Sequence, residues 1–122
     1  MRILLADDER RVRSALRVIL NNHLGLRVVG EAEDVDQALK LATVRHPDLV
    51  LLDWELAGGG GAAALAGLRA VQPNLAVIAL SGRPESQAAA QAAAVDAFVS
   101  KGDPPERLLA ALTSVATPVQ CS

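Results

Sequence analysis

Five polar residues of this sequence stand where short apolar runs end. Asp7 and Asp8 follow the first run, Asp53 ends the third, Ser81 ends the fourth and Lys101 follows the fifth. In a parallel, doubly wound sheet the carboxyl ends of the strands share one edge, and ligands bind at that edge. We therefore expect the three carboxyl groups, the hydroxyl and the ammonium group to converge on one site.

The three carboxylates of this site require a counter-charge. Each residue alone has a plainer explanation, because aspartate often caps a helix, serine often begins a turn, and a lysine at a strand end is commonly solvated. Together they are costly, since two carboxylates about 4 Å apart repel by roughly 4 kcal/mol at an effective dielectric constant near 20. Either one carboxyl group keeps its proton or a divalent cation lies among them.

A hard cation and a phosphoryl group would complete such a site. Mg²⁺ prefers oxygen ligands, commonly one or two carboxylates, several waters and a phosphate oxygen. An aspartate can be the nucleophile that accepts a phosphoryl group, while the cation and Lys101 offset charge and Ser81 donates a hydrogen bond. The residue types therefore predict acceptance of a phosphoryl group, with Mg²⁺ as cofactor.

The strands that would position these residues recur along the chain. Apolar runs of strand length predict five strands, and the first, third and fourth are apolar enough to be covered on both faces. The second contains Arg27 and suits a sheet edge. The predicted strands are Ile3 to Ala6, Leu26 to Gly30, Leu49 to Leu52, Leu75 to Leu80 and Ala97 to Val99.

Helical patterns separate the strands and follow the last one. Val12, Leu16 and Ile19 share one face of the first predicted helix, and similar spacing marks the others. Helix ends are marked as follows: Asp34 caps the second helix, Pro47 ends it, Pro73 ends the third, Pro84 begins the fourth, and Asp103 with Pro104 and Pro105 begins the fifth. The alternation predicts an α/β, doubly wound, five-stranded parallel sheet with helices on both faces.

Four segments resemble the receiver domains of bacterial two-component response regulators: Ile3 to Asp8, Leu49 to Asp53, Ala79 to Ser81 and Ala97 to Lys101. The resemblance covers essentially the whole chain and implies the flavodoxin-like receiver fold, with strand order 2-1-3-4-5 and five helices. The segment from Lys101 to Leu109 is similar to the LuxR/NarL-like subgroup, whose receivers precede a helix-turn-helix DNA-binding domain.

The resemblance implies a role for each residue of the acidic site. Asp53 would be the phosphoacceptor, Asp8 a direct metal ligand and Asp7 a ligand through water. Glu55, two residues past the acceptor, would give its backbone carbonyl to the metal. Lys101 would offset the charge of the phosphoryl group.

The resemblance also implies a switch built from two residues. The Ser81 hydroxyl would move onto a phosphoryl oxygen, and the Phe98 ring would turn into the vacated space; a plain core aromatic is the alternative for Phe98. Glu55 and Arg83 lie two residues past Asp53 and Ser81, at positions that flank the phosphoryl group in receivers. Their opposite charges favour the hypothesis that they pair across the site and slow attack by water.

The implied function is a phosphoacceptor signalling domain and not an enzyme, because it would catalyse only its own phosphorylation and dephosphorylation. A sensor histidine kinase would donate the phosphoryl group. The basic outer face predicted for the first helix is either its docking surface or a plain solvated face. That face comprises Arg10, Arg11, Arg13 and Arg17. The output would be transcription through a DNA-binding domain outside this chain. Whether the chain is a stand-alone regulator, and whether it forms a homodimer on phosphorylation, stay open.

Composition favours a single folded domain in the cytoplasm. With 122 residues, 51% hydrophobic content and a net charge of -2, the chain can bury a core and does not resist collapse. The charge balance gives no field that would attract nucleic acid or a membrane surface, and no uncharged stretch is long enough to cross a bilayer. The domain is predicted over residues 1–116, with 117–122 as a tail or the start of a linker.

One departure and three alternatives accompany this interpretation. Many receivers have proline four residues past the acceptor, whereas this chain has Ala57 followed by the glycines 58–61, which predict a loose loop. The alternatives are a receiver-like interaction module that is not phosphorylated, a flavodoxin-like flavin binder, and a hydrolase of the haloacid dehalogenase type. Adjoining Asp7 and Asp8 disfavour the last two, because they would repel a flavin phosphate and lack the Asp-x-Asp spacing.

Overall fold

The computed structural model describes residues 1–116, which form one five-stranded parallel sheet with helices on both faces. The strands are β1 (Arg2–Ala6), β2 (Arg27–Ala32), β3 (Leu49–Asp53), β4 (Ala76–Ser81) and β5 (Ala97–Ser100). They pair in the order β2-β1-β3-β4-β5, all parallel. The predicted fold class and strand order are confirmed, and β2, which carries Arg27, lies at an edge as expected.

Five helices follow the five strands. They are α1 (Arg10–Asn21), α2 (Val35–Arg45), α3 (Gly60–Val71), α4 (Ser86–Ala92) and α5 (Pro105–Ala116). The Asp34 side chain accepts a hydrogen bond from the Gln37 backbone N–H, as its predicted cap role requires. Pro105 is the first residue of α5, where its missing N–H has no helical partner to lose.

Two hydrophobic layers sandwich the sheet. One face packs against α1 and α5 through residues such as Leu16, Leu20 and Leu108. The other packs against α2 and α3 through residues such as Ala38 and Leu68. Because side chains alternate along a strand, β1 and β3 contribute to both layers and are almost wholly buried, which explains why Ile3 to Ala6 and Leu49 to Leu52 are aliphatic.

Two predicted boundaries differ from the structure in instructive ways. The second strand begins one residue later and ends two residues later than predicted, because its last residue pairs with Ala6 and the edge position lets Glu31 face a charged partner. The fourth helix begins at Ser86, two residues after the predicted start at Pro84, and it ends at Ala92, shortly before Ala94 adopts a positive φ of 66°. The structure does not describe the predicted tail at residues 117–122.

The loop after β3 is held in place, so the prediction that glycines 58–61 form a loose turn is wrong. The Ala57 carbonyl accepts a hydrogen bond of 2.9 Å from the Val35 backbone N–H. Gly60 and Gly61 already belong to α3, and the Gly61 N–H donates to the Trp54 carbonyl at 2.8 Å. Gly59 caps the helix with a φ of 139°, a conformation that glycine adopts without strain.

Within residues 1–116, no helix combines the length and the apolar character that crossing a lipid bilayer requires.

Gly61 lies directly against the only tryptophan, which gives a test of this packing. A Cβ atom at Gly61 would lie 2.4 Å from Trp54 Cε3 and 2.8 Å from Trp54 Cα. We expect Gly61→Ala to lower the free energy of unfolding by about 1 to 3 kcal/mol, since such overpacking forces neighbours to shift. Urea unfolding followed by Trp54 fluorescence measures this. Gly102→Ala is the control, because its nearest neighbour would be 3.9 Å away, and equal stability of the two variants would contradict the packing.

Candidate phosphoacceptor and metal site

Three carboxyl groups meet at the carboxyl ends of β1 and β3. These strands are neighbours in the sheet, so Asp7 and Asp8 after β1 come close to Asp53 at the end of β3. One carboxylate oxygen from each lies within 4.8 Å of the other two. Asp7 and Asp53 are buried, at 1% and 2% exposure, while Asp8 is exposed to solvent. The sequence prediction of a convergent acidic cluster is confirmed.

Lys101 brings the nearest positive charge to this cluster. Its Nζ lies 2.8 Å from Asp7 Oδ2, 3.4 Å from Asp53 Oδ1 and 3.5 Å from Glu9 Oε1. The Lys101 backbone N–H donates to the Ser81 carbonyl at 2.9 Å, which fixes the loop after β5 to the end of β4. One ammonium faces several carboxylates, so the site keeps a negative balance that a cation would offset.

The electrostatics of the site appear in two pKa shifts. Burial, reinforced by the charge of Asp7, raises the pKa of Asp53 to about 6; the hydrogen bond from the Glu55 N–H and the charge of Lys101 oppose this rise in part. Burial alone would lower the pKa of Lys101, but the hydrogen bond with Asp7 and the charge of Asp53 raise it above its ordinary value. The rise at Asp53 thus comes chiefly from its burial, whereas the rise at Lys101 comes from the carboxylates beside it.

The donor set fits a hard divalent cation. Asp7 Oδ2 is buried, and its charged partner is Lys101 Nζ, which also faces Asp53 and Glu9. One ammonium shared among three carboxylates compensates their charge incompletely, and a cation or its bound water would complete the compensation. A cavity of about 470 Å³ opens above the cluster and leaves room for water and a phosphoryl group; its walls are Asp8, Glu9, Asp53, Glu55, Gly82, Arg83 and Lys101.

Glu55 does not pair with Arg83, so the predicted ion pair across the site is wrong for this conformation. The Glu55 carboxylate instead accepts hydrogen bonds from the Ser81 hydroxyl, at 2.8 and 2.9 Å, and from the Ser86 hydroxyl, at 2.8 Å. Arg83 is exposed, and its backbone N–H donates to Ser81 Oγ at 3.0 Å. A hydroxyl donor gives a half-buried carboxylate a closer, less mobile partner than an exposed arginine does.

Phe98 lies on β5, which pairs directly with the strand that ends at Ser81. It pairs with Ala79 in the sheet register, so alternation places its side chain on the same face of the sheet as Ser81. The ring is half-buried, and neither hydrophobic cluster of residues 1–116 includes it. The alternative of a plain core aromatic is therefore disfavoured.

Two polar residues near the site were not foreseen in their roles. Arg13 belongs to the predicted basic outer face, but it is buried at 7% exposure and pairs with Glu31 and Glu33. The sequence did carry a signal, because Arg13 precedes the buried Leu16 by three residues and shares its side of α1. Ser86 was overlooked because a serine at a helix start is common.

These features define a class of protein: a doubly wound α/β domain with an acidic cluster and a lysine at the carboxyl edge of its parallel sheet. The family model of the response regulator receiver domain matches residues 3–113. The chain belongs to this family, which confirms the resemblance inferred from its sequence and sets aside the flavin-binder and hydrolase alternatives.

Individual relatives agree with that assignment. The chain is 32% identical to the response regulator UvrY of Escherichia coli over 115 residues, and 33% identical to the nitrate/nitrite response regulator NarL of Escherichia coli over 116. Each match covers 93% of this chain and 53% or 54% of the relative, so the chain spans about half their length. A LuxR-family response regulator from Aurantimonas superposes with a TM-score of 0.87 at 30% identity, covering 94% of this chain and 84% of the other.

The raised pKa of Asp53 makes the stability of the metal-free protein depend on pH. The folded state holds this proton up to a pH of about 6, whereas the ordinary value is 3.8. In metal-free buffer, Asp53 should therefore lower the free energy of unfolding by about 2 kcal/mol as the pH rises from about 4 to about 6. Urea unfolding of wild type and Asp53→Asn at a series of pH values isolates this contribution, because asparagine does not titrate. Parallel curves for the two proteins would contradict it.

Proposed function

We propose that this chain is the phosphorylated switch of a two-component response regulator, with Asp53 as the phosphoacceptor. The observation that carries the proposal is the buried Asp53 carboxyl group, grouped with those of Asp7 and Asp8 and 3.4 Å from Lys101 Nζ. A structural cap or a solvated charge would not require three carboxyl groups and an ammonium group at one edge. A nucleophile that accepts a phosphoryl group from a donor does.

The chemistry of transfer follows from the charges at the site. Near neutral pH the Asp53 carboxyl group is mostly ionised, because its pKa is about 6. Its oxygen forms the new bond to phosphorus, the bond between phosphorus and the imidazole nitrogen of a phosphohistidine breaks, and the imidazole takes up a proton. Lys101 offsets the charge on the transferred group. The protein thus catalyses its own phosphorylation and dephosphorylation and turns over no separate substrate.

Mg²⁺ is the cofactor that the donor set favours. Asp8 and Asp53 would hold it directly, Asp7 through a water molecule, and Glu55 through its backbone carbonyl. When bound, the cation offsets the negative charge of the carboxylates and of the phosphoryl oxygens. The grouping of one oxygen from each of Asp7, Asp8 and Asp53 within 4.8 Å, with a single ammonium shared among carboxylates, supports this assignment.

The switch we propose begins from the contact between Ser81 and Glu55. In the unphosphorylated protein the Ser81 hydroxyl donates to Glu55, and the same carboxylate accepts from Ser86, the first residue of α4. A phosphoryl group on Asp53 offers a more highly charged acceptor for the Ser81 hydroxyl. Moving that hydroxyl releases Glu55 and loosens its tie to α4, while Phe98, on the same face, turns into the vacated space.

The whole protein extends the proposal beyond this domain. UvrY and NarL are response regulators about twice as long as this chain, which supports control of transcription through a further DNA-binding domain. The partner that donates phosphate would be a sensor histidine kinase in the cytoplasm. A homodimer formed on phosphorylation would carry the signal onward, and this domain itself would bind neither nucleic acid nor membrane.

Acetyl phosphate tests the phosphoacceptor directly. Incubation with Mg²⁺ and acetyl phosphate should add one phosphoryl group to wild type and none to Asp53→Asn, as measured by intact mass spectrometry. Omitting Mg²⁺ should abolish the addition, because the transferred group then lacks its main counter-charge. Unmodified wild type in the presence of Mg²⁺ would contradict the proposal and favour a receiver-like module that is not phosphorylated.

Glu55 should restrain the switch in the unphosphorylated state. We expect Glu55→Ala to accelerate phosphorylation by acetyl phosphate about tenfold, since a hydrogen bond to a charged acceptor contributes about 1.5 to 3 kcal/mol. Stopped-flow Trp54 fluorescence measures the rate.

Two further variants separate the hydrogen bonds from the charge. Ser86→Ala keeps the Glu55 charge and removes only the tie to α4, so it should accelerate the reaction less than Glu55→Ala does. Glu85→Ala removes the exposed glutamate that precedes Ser86 in the sequence, and it should leave the phosphorylation rate unchanged. Rates equal to wild type in both Glu55→Ala and Ser86→Ala would show that this contact does not restrain the switch.

A further inference from the structure

Arg13 is a buried cation on the face of α1 that packs against the sheet. Its exposure is 7%, whereas Arg17, one turn further along the same helix, has a side chain that is 53% exposed. Removing a guanidinium from water costs several kcal/mol unless partners replace the lost hydration. Arg13 lies three residues before the buried Leu16, on the side of α1 that usually carries apolar residues. If this position served packing alone, an aliphatic residue would suffice. A charge at this position points to a further role.

Three hydrogen bonds of the Arg13 guanidinium offset the cost of removing it from water. Arg13 Nη1 donates to the Asp7 backbone carbonyl at 2.6 Å. Nε donates to Glu31 Oε1 at 3.1 Å, and Nη2 donates to Glu33 Oε1 at 3.4 Å. The rigid planar fork of arginine reaches one carbonyl and two carboxylates at once, which a lysine ammonium on its flexible stem does not reproduce.

These contacts join the ends of two strands around one residue of the acidic site. Glu31 and Glu33 flank Ala32, whose carbonyl accepts the Asp7 backbone N–H at 3.0 Å. Arg13 holds the Asp7 carbonyl, and the Glu9 backbone N–H donates to Asp7 Oδ1 at 2.8 Å. The backbone of Asp7 is therefore fixed on both sides, through β2 and through α1.

We propose that Arg13 is a positioning residue for the cation site: by holding the Asp7 carbonyl against the end of β2, it aims the Asp7 carboxylate into the acidic cluster. Arg13 acts through the backbone and binds neither cation nor phosphoryl group. The inference rests on the proposed function in one respect, that the cluster takes Mg²⁺. Loss of a residue that orients a metal ligand without binding the metal itself commonly changes the metal affinity 10- to 100-fold.

The test compares Arg13→Met, Arg13→Lys and Arg17→Met. Arg17 pairs with the same Glu31 but has no contact with Asp7 among the described residues, so Arg17→Met is the matched control. Arg13→Lys keeps the positive charge but lacks the planar guanidinium. If Arg13→Met does not fold, Arg13→Lys is the variant compared with Arg17→Met. Mg²⁺ titration followed by Trp54 fluorescence should show affinity about tenfold weaker in both Arg13 variants and unchanged in Arg17→Met.

A second readout needs no metal. In the metal-free protein, amide hydrogen exchange at Asp7 and Glu9 should be faster in the Arg13 variants than in Arg17→Met, because these N–H groups belong to the structure that Arg13 holds. Exchange at Leu51, in the centre of β3, should stay as in wild type. A purely structural ion pair would instead accelerate exchange at all three amides together.

The outcomes separate this inference from the proposed function. If wild type binds Mg²⁺ and accepts phosphate while the Arg13 variants match it, Arg13 does not position the site. Full affinity in Arg13→Lys would also overturn the inference, since charge alone would then suffice. If wild type binds no Mg²⁺, the proposed function fails, and equal exchange at Asp7 and Glu9 in all variants would still decide against the role of Arg13.

Discussion

The structure depends on a balance of charge at one edge of the sheet. Buried Asp7 and Asp53 lie close together, with Lys101 Nζ within 3.4 Å of both. Two negative charges withdrawn from water destabilise a fold unless opposite charge compensates them. Lys101 compensates in part, and the proton that Asp53 retains up to a pH of about 6 compensates further. Under the proposed function, a cation and a phosphoryl group would act on a site already held in this unequal balance.

Much of this could be foreseen from residue order. Apolar strands and the polar residues at their ends predicted the sheet and placed Asp7, Asp53, Ser81 and Lys101 together, because parallel strands end at one edge. The strand order required the resemblance to a family. Composition alone does not say which of several parallel topologies a chain adopts.

The partners of individual charges could not be foreseen in the same way. Glu55 bonds to Ser81 and Ser86, and Arg13 bonds to Asp7 and Glu31, across sequence separations of 6 to 31 residues. Periodicity indicates which side of an element a residue occupies, but it does not indicate which of several polar neighbours is nearest. The loop at glycines 58–61 shows the same limit, since its order comes from contacts with Trp54 and Val35.

The distribution of the site along the polypeptide has a consequence for how the domain matures. Its members come from β1, β3, β4 and the turn after β5, and Lys101 reaches back 92 positions to Glu9. Contacts so distant in sequence form late, since the long intervening loops must close first. A partly folded chain thus lacks the complete site, so under the proposed function only molecules whose last strand has joined the sheet could accept a phosphoryl group.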